Sequence, residues 1–453
     1  MSPSFIQKDC ADRKVPIYFL LSLFIVGLVS YVITPSSSDL NAILSFPFVL
    51  LILFLIGERV TDDAIIRYVT LAVFTLLVLI GVINNCSHLF YPPQPDAALY
   101  DRAGWAIAQS LASGESLPWQ MVPSLKRQIY SIFTGFMYYF TDHSYVIMQI
   151  INSFFTALAL LNVARISELL LSRFISRYSF LIACLYPSLY FTSAAHLRGA
   201  LILFATTEMV YWTFHWLDDN EVKSLLKSLG ASVGVFIMRT ENLLLVVIFY
   251  SEVILKQIFM AKGSSGRRQA IATAMIVLVI FSLLYLLTPA KLLIEEKMEW
   301  FKLKNINYRR NSLAKNPQNL ENPGVTKPLR FENWGDVLTY TPRSILSFLF
   351  KRFPWKMSNW NYTRSWVSSL YILILIISCV GGVWKGIKIN PEKVIILVSF
   401  LLISATILGI YDNVPGIIRR HRMPLIVLFT PFSGYIPFKL CNYIENRKLG
   451  DLI

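Results

Sequence analysis

Apolar residues run along this chain in long, nearly uncharged blocks, and the polar and charged residues collect between them. Pro16 to Thr34, Ile65 to Asn84, Ala270 to Thr288 and Trp366 to Trp384 each approach the ~20 residues that carry a helix across ~30 Å of hydrocarbon. Applied throughout, the same reading predicts twelve membrane helices, over 16–34, 40–57, 65–84, 144–164, 178–195, 200–217, 225–238, 243–256, 270–288, 366–384, 393–411 and 424–440. An even number of spans places both termini on one side. The shorter apolar stretch Ile129 to Phe140 is read as an interfacial or re-entrant piece. As a full span it would invert every later loop and put the Lys/Arg-rich segment 256–269 outside.

Composition agrees with a bilayer as solvent: 55% of residues are hydrophobic, 15% are charged and the mean hydropathy is +0.54, more apolar surface than a soluble core buries. The 42 Lys and Arg against 27 acidic residues would suggest nucleic acid in a soluble protein. Here they lie between apolar blocks and read as topology signals and lipid-headgroup contacts, so no nucleic-acid partner is expected. Lys8, Arg13, Lys14, Lys256, Lys262, Arg267, Arg268, Lys385, Lys388, Lys393, Arg447 and Lys448 put both termini in the cytoplasm. The long segment 289–365 is exempt from that bias. The first apolar run lacks a small-residue cleavage site and reads as a retained helix. Cys10, Cys86, Cys184, Cys379 and Cys441 show no paired spacing, so neither a disulfide framework nor a metal site is expected.

The expected organisation is a transmembrane region over 1–288 with a first extracytoplasmic loop at 85–143, an extracytoplasmic loop or lid over 289–365, and C-terminal membrane helices over 366–453. In the first loop, Pro92-Pro93-Gln94-Pro95 precedes a predicted surface helix from Asp96 to Ser113. Leu99, Ala103, Ile107 and Leu111 form its apolar stripe and Gly114 its stop. The second loop carries Tyr308-Arg309-Arg310-Asn311, Thr341-Pro342-Arg343 and Phe353-Pro354-Trp355, and its aromatic content suggests an ordered lid. No internal repeat or low-complexity tract occurs.

On this topology Asp96, Asp101, His196, Arg198, Arg239, Glu241 and the run Arg419-Arg420-His421-Arg422 all fall on the far side, although the sides were set by other loops. Charge near membrane depth is costly unless paired or used. Asp96 at a helix start either caps free backbone N–H groups or takes a proton from an attacking hydroxyl. The arginine run before Pro424 either anchors to headgroups or grips phosphate, for which guanidinium forks and a helix start are suited. Arg198 and Arg239 either snorkel or complete an anionic pocket. Glu241 most simply pairs with an arginine. His196 and His421 have no third ligand at metal spacing.

The stretch Pro95-Asp96-Ala97-Ala98-Leu99-Tyr100-Asp101, continuing through Ala103, Ala106 and Leu111-Ala112-Ser113-Gly114, resembles the first external loop of the GT-C superfamily of membrane glycosyltransferases. That group includes protein O-mannosyltransferases and aminoarabinose transferases of lipid A. His196-Leu197-Arg198, Pro342-Arg343, Phe353-Pro354-Trp355 and Arg420-His421-Arg422-Met423-Pro424 resemble segments of its bacterial surface-polysaccharide members. The resemblance implies an all-α polytopic fold with juxtamembrane helices, in a bacterial inner membrane, with the site on the periplasmic side. It implies a sugar donor on a polyprenyl phosphate or diphosphate, a glycan or glycolipid acceptor, no cofactor, Asp96 as base with Asp101 second, and Tyr100, Arg198, Arg239, Arg419, Arg420, His421 and Arg422 as substrate contacts. Two features depart from the pattern: three helices precede the acidic loop, and Ala97 stands where several relatives carry a second carboxylate. A polysaccharide polymerase or ligase acting on lipid-diphosphate oligosaccharides is the near alternative. A flippase of lipid-linked sugars is the alternative of another class, although its charges belong at the bilayer midplane within repeated halves.

Overall fold

The computed structural model describes residues 37–87, 95–118, 125–193, 195–239, 242–260, 303–308, 330–350, 363–411 and 415–450; these are helical almost throughout, with no strand among them. The helices are α1 (Ser37–Val60), α2 (Ala64–Ser87), α3 (Pro95–Ser113), α4 (Leu125–Thr141), α5 (Tyr145–Leu170), α6 (Arg173–Cys184), α7 (Pro187–Ser193), α8 (Gly199–Asp219), α9 (Val222–Met238), α10 (Leu243–Met260), α11 (Trp334–Phe350), α12 (Thr363–Ile389), α13 (Pro391–Tyr411), α14 (Pro415–Phe429) and α15 (Tyr435–Gly450).

Six segments of these are long and apolar enough to cross a membrane: Ala42–Val60, Ala64–Asn85, Tyr145–Leu170, Val367–Ile389, Pro391–Tyr411 and Arg420–Ile444. The expected spans 16–34 and 270–288 lie outside the described residues. The expected span 178–195 is instead two short helices, α6 and α7. Pro187 has no N–H to continue a ladder, and Leu185 and Tyr186 close tight turns onto the carbonyls of Ile182 and Ala183. The expected spans 200–217, 225–238 and 243–256 are helical, as α8, α9 and α10, but none of the three is among the six.

The chain divides into two compact units, Met1–Arg165 with Phe180–Glu208, and Ile166–Ser179 with Met209–Ile453. In the first, α1 and α2 pack through the stacked rings of Phe46 and Phe74, 5.4 Å apart. Asp63 Oδ1 caps α2 by accepting from Ile65 N at 2.9 Å. Gln149 on α5 donates to the Gly81 carbonyl at 3.0 Å and ties α2 to α5.

The first-loop helix extends over Pro95–Ser113 and stops at Gly114, whose φ of 71° is left-handed. The expected stripe is half right. Ala103 and Ile107 are buried, but Leu111 is 43% exposed, and the buried line continues instead through Ala97, Tyr100 and Ala108. The reason is α4, which covers that side: Gly104 and Gly135 let the two backbones approach to near contact. The stretch Ile129 to Phe140 is thus a helix with two faces, Tyr130, Ser131, Thr134 and Tyr138 buried and Phe136, Tyr139 and Phe140 exposed.

In the second unit α13 is buried over most of its surface. Phe400 packs on Phe249 of α10, their ring centroids 5.2 Å apart. Between α14 and α15 a 3₁₀ turn, Thr430–Phe432, is pinned because Ser167 and Ser179 both donate to the Pro431 carbonyl at 2.8 Å. The described parts of 289–365 are ordered: Ile306, Phe331, Val337 and Tyr340 form an apolar cluster with Ile410 and Tyr411. Thr341-Pro342-Arg343 lies inside α11, not in a loop, whereas Arg309-Arg310-Asn311 and Phe353-Pro354-Trp355 lie outside the described residues.

Candidate active site

The first unit gathers polar side chains around the bend that joins α7 to α8. Asn152 Nδ2 donates to the Ala195 carbonyl at 2.9 Å, and His196 N donates to Tyr145 Oη at 3.2 Å, so α5 holds this bend from two sides. His196 is completely buried. Its ring lies 5.1 Å from that of Tyr145, 5.7 Å from Tyr130, 6.3 Å from Tyr138 and 6.4 Å from Tyr100, between centroids. Thr134 Oγ1 stands 3.2 Å from His196 Nε2 and gives its own proton to the Tyr130 carbonyl at 2.9 Å. His196 therefore donates from Nε2 and keeps a lone pair on Nδ1. Burial lowers its pKa from 6.5 to about 4; the Asp101 carboxylate opposes this and His143 adds to it. The imidazole is neutral at ordinary pH.

Asp101, on α3, accepts from Tyr138 Oη at 2.6 Å, and the same oxygen is 3.2 Å from His143 Nε2 in the link between α4 and α5. Trp105 stacks on His143, centroids 5.0 Å apart and planes 30° from parallel. Burial pushes the Tyr138 phenol far up, and the Asp101 carboxylate pushes it further. Burial likewise raises Tyr130, whose hydroxyl lies near the Asn152 carboxamide without closing a hydrogen bond to it. Both phenols stay protonated, and Tyr138 serves as a donor to Asp101. The cluster thus combines a carboxylate held by two donors, an imidazole leaning on it, and a wall of neutral aromatic hydroxyls. A carboxylate paired with an imidazole is equipment for moving a proton.

The structure brings four sequence-predicted residues together here. Tyr100 packs edge-on to Tyr130 at 4.8 Å, Asp101 and His196 sense each other electrostatically, and Arg198 lies within electrostatic reach of Tyr130. Asp96 occupies the first turn of α3 and is half-buried. The remaining predicted residues belong to the second unit. Arg239 caps the C-terminus of α9, its N–H on the Val235 carbonyl at 3.2 Å. The run Arg419 to Arg422 departs from expectation: it does not open a helix, because α14 begins earlier, at Pro415, a residue suited to a first helical position. His421 and Arg422 are buried, Arg420 is half-buried, and Arg422 Nη1 donates to the Leu349 carbonyl of α11 at 2.6 Å. Glu241 lies outside the described residues. The second unit also holds an apolar cavity of about 700 Å³, lined among others by Phe348, Trp384, Leu402, Leu425 and Phe429; Leu425 is three residues beyond Arg422.

Sequence reasoning passed over Tyr130, Thr134, Tyr138 and His143. The first three had a signal, since they recur at i, i+4 and i+8 inside Ile129 to Phe140 and so share one helix face. His143 had none beyond its position before an apolar run. Among the described residues no three His, Cys, Asp or Glu side chains gather as a metal would require. Compared with family models, with curated proteins and with solved structures, the chain finds no match.

Proposed function

We propose that this chain is a membrane glycosyltransferase that moves a sugar from a polyprenyl-phosphate carrier to an acceptor hydroxyl outside the cytoplasm, in the building of a bacterial surface polysaccharide. One observation carries the reading: Tyr100 and Asp101 of α3 and Arg198 of the α7–α8 bend, selected from distant segments for transfer chemistry, lie in one cluster of the first unit around His196.

In such a transfer the acceptor oxygen attacks the anomeric carbon, the carrier phosphate leaves with the bonding electrons, and the acceptor proton must be taken up. Guanidinium groups suit the departing phosphate, whose charge grows in the transition state, and Arg198 is the candidate in this cluster. For that proton the family resemblance points to Asp96, and the local geometry offers the pair of Asp101 and His143. No nucleotide loop is needed, because the carrier already activates the sugar.

The test is consumption of defined donors by the purified chain in bilayer discs. Turnover of a polyprenyl-phosphate monosaccharide is the expected result. Turnover of a lipid-diphosphate oligosaccharide alone would make the chain a polymerase or ligase, and turnover of neither would end the enzymatic reading.

A further inference from the structure

We infer that His143, positioned by Asp101, is the base that accepts the proton from the acceptor hydroxyl, which places the acceptor beside His143 and Trp105 on the first unit. The inference rests on the transfer reading above and names the acceptor side of that site.

An ionised carboxylate only accepts, so the 3.2 Å contact between Asp101 Oδ1 and His143 Nε2 requires the proton to sit on Nε2. That leaves the lone pair on Nδ1 as the basic atom of the ring. Asp101 Oδ1 is already engaged twice, by Tyr138 Oη and by His143, and the Asp101 side chain is 21% exposed against 42% for His143. A bulky alcohol therefore reaches the imidazole more readily than the carboxylate.

The ring is also held in place, as a positioned base must be. Trp105 covers one face at 5.0 Å, and Tyr138 meets it edge-on at 5.1 Å and 85°. Its backbone is fixed too: His143 N donates to Asp142 Oδ1 at 2.8 Å, and Asp142 has a left-handed φ of 67°, an uncommon state for a residue with a Cβ. Trp105 and Asp101 ride on α3 and Tyr138 on α4, so the tight packing of these two helices holds the partners of His143 in place. Asp96 is five residues before Asp101, about 7.5 Å along the axis and well round the helix. None of the contacts that orient His143 comes from it.

The step balances. The acceptor O–H gives its proton to His143 Nδ1 as its oxygen bonds to the anomeric carbon, and the bond from that carbon to the carrier phosphate breaks with its electron pair on the phosphate. The imidazolium that forms pairs with the Asp101 carboxylate, which orients the ring and balances its charge.

The experiment uses the full chain in bilayer discs, a polyprenyl-phosphate monosaccharide as donor and a washed native membrane fraction as the acceptor source. His143→Ala is expected to slow transfer by about 10²-fold or more, as loss of a general base does, and added imidazole to restore part of it. Asp101→Asn is expected to slow transfer without imidazole rescue, and ¹⁵N spectra should show His143 losing its single Nε2–H tautomer. A His143→Ala protein that works near the wild-type rate, or that is dead and unmoved by imidazole, overturns the assignment. A wild-type protein that consumes no donor overturns the transfer reading itself, a distinguishable outcome.

Discussion

Gly135 of α4 lies so close to Gly104 of α3 that a Cβ on Gly135 would stand 2.9 Å from the Gly104 carbonyl oxygen and 2.6 Å from Ile107 Cγ2. The approach is reciprocal, since a Cβ on Gly104 would meet Thr134 Cγ2 at 2.5 Å. Neither obstacle is the loose end of a flexible chain. Gly135→Ala and Gly104→Ala are therefore expected to lose about 1–3 kcal/mol of stability in mild detergent, the usual cost of forcing atoms into a packed contact. Gly230→Ala, inside α9 with nothing within 4 Å of the added carbon, is the control and should gain up to about 1 kcal/mol. Unfolding transitions monitored by intrinsic fluorescence measure all three. Equal behaviour would mean that the helices are not in the contact described.

A second prediction follows from His196. Its folded pKa is depressed, about 4 against an ordinary 6.5, so between these values the unfolded chain binds a proton that the folded chain refuses. Stability from this residue is complete above pH 6.5 and is lost as pH falls toward 4. At about 1.4 kcal/mol per pH unit the loss is on the order of 3 kcal/mol, and a fully buried ring needs no discount for solvent screening. His196→Gln should flatten that part of the stability–pH curve. If the mutant and the wild type keep the same slope between pH 6.5 and 4, His196 is not neutral and buried.

Much of this architecture can be read in the amino-acid order, and the shortfalls have physical causes. α1, α2, α5, α12 and α13 appear where long apolar runs put them, because spanning the bilayer demands one length and one polarity that depend on no partner. The break between α6 and α7 was missed because Leu185 and Tyr186 are ordinary apolar residues, and only Pro187 marks the turn. The α3 stripe was drawn one position too far round because its true partner is α4, and Gly104 and Gly135 choose that face. A glycine in a pattern shows freedom, not which backbone will come close to it. The site was half visible for the same reason. Asp101 and His196 stand out as ionisable residues in apolar surroundings, whereas Tyr138 and His143 acquire meaning only once α3 and α4 are packed.

Lys393 and Asp218 form an ion pair whose halves sit in unlike surroundings: the lysine side chain is 7% exposed and the aspartate 50%. That difference gives the two single mutants different costs. Asp218→Asn leaves a cation buried with only a weak partner, for which about 2–3 kcal/mol is expected. Lys393→Met removes the buried charge and fills the space with an apolar chain, while Asp218 turns to water, so the cost should stay below about 1 kcal/mol. Melting curves of the two variants, at one ionic strength, decide it. The reverse order would place the pair's weight on the aspartate.

Arg420 and Arg422 are two residues apart on α14 and should separate transfer from stability. Arg422 is buried and its Nη1 is committed to the Leu349 carbonyl at 2.6 Å, a tie between α14 and α11. Arg422→Ala exposes no new charge but leaves that carbonyl without its donor, and should cost about 1–3 kcal/mol of stability. Arg420 is half-buried and stands on another face of the same helix, since successive even steps turn by about 200°. If it grips the carrier phosphate, Arg420→Lys keeps a charge but loses the planar fork and should retain part of the transfer rate, while Arg420→Ala should lose nearly all of it. The unfolding transition should move by less than about 0.5 kcal/mol in both. Transfer rates and melting curves measured on the same preparations give the comparison. Equal transfer by wild type, Arg420→Lys and Arg420→Ala would make Arg420 a headgroup anchor.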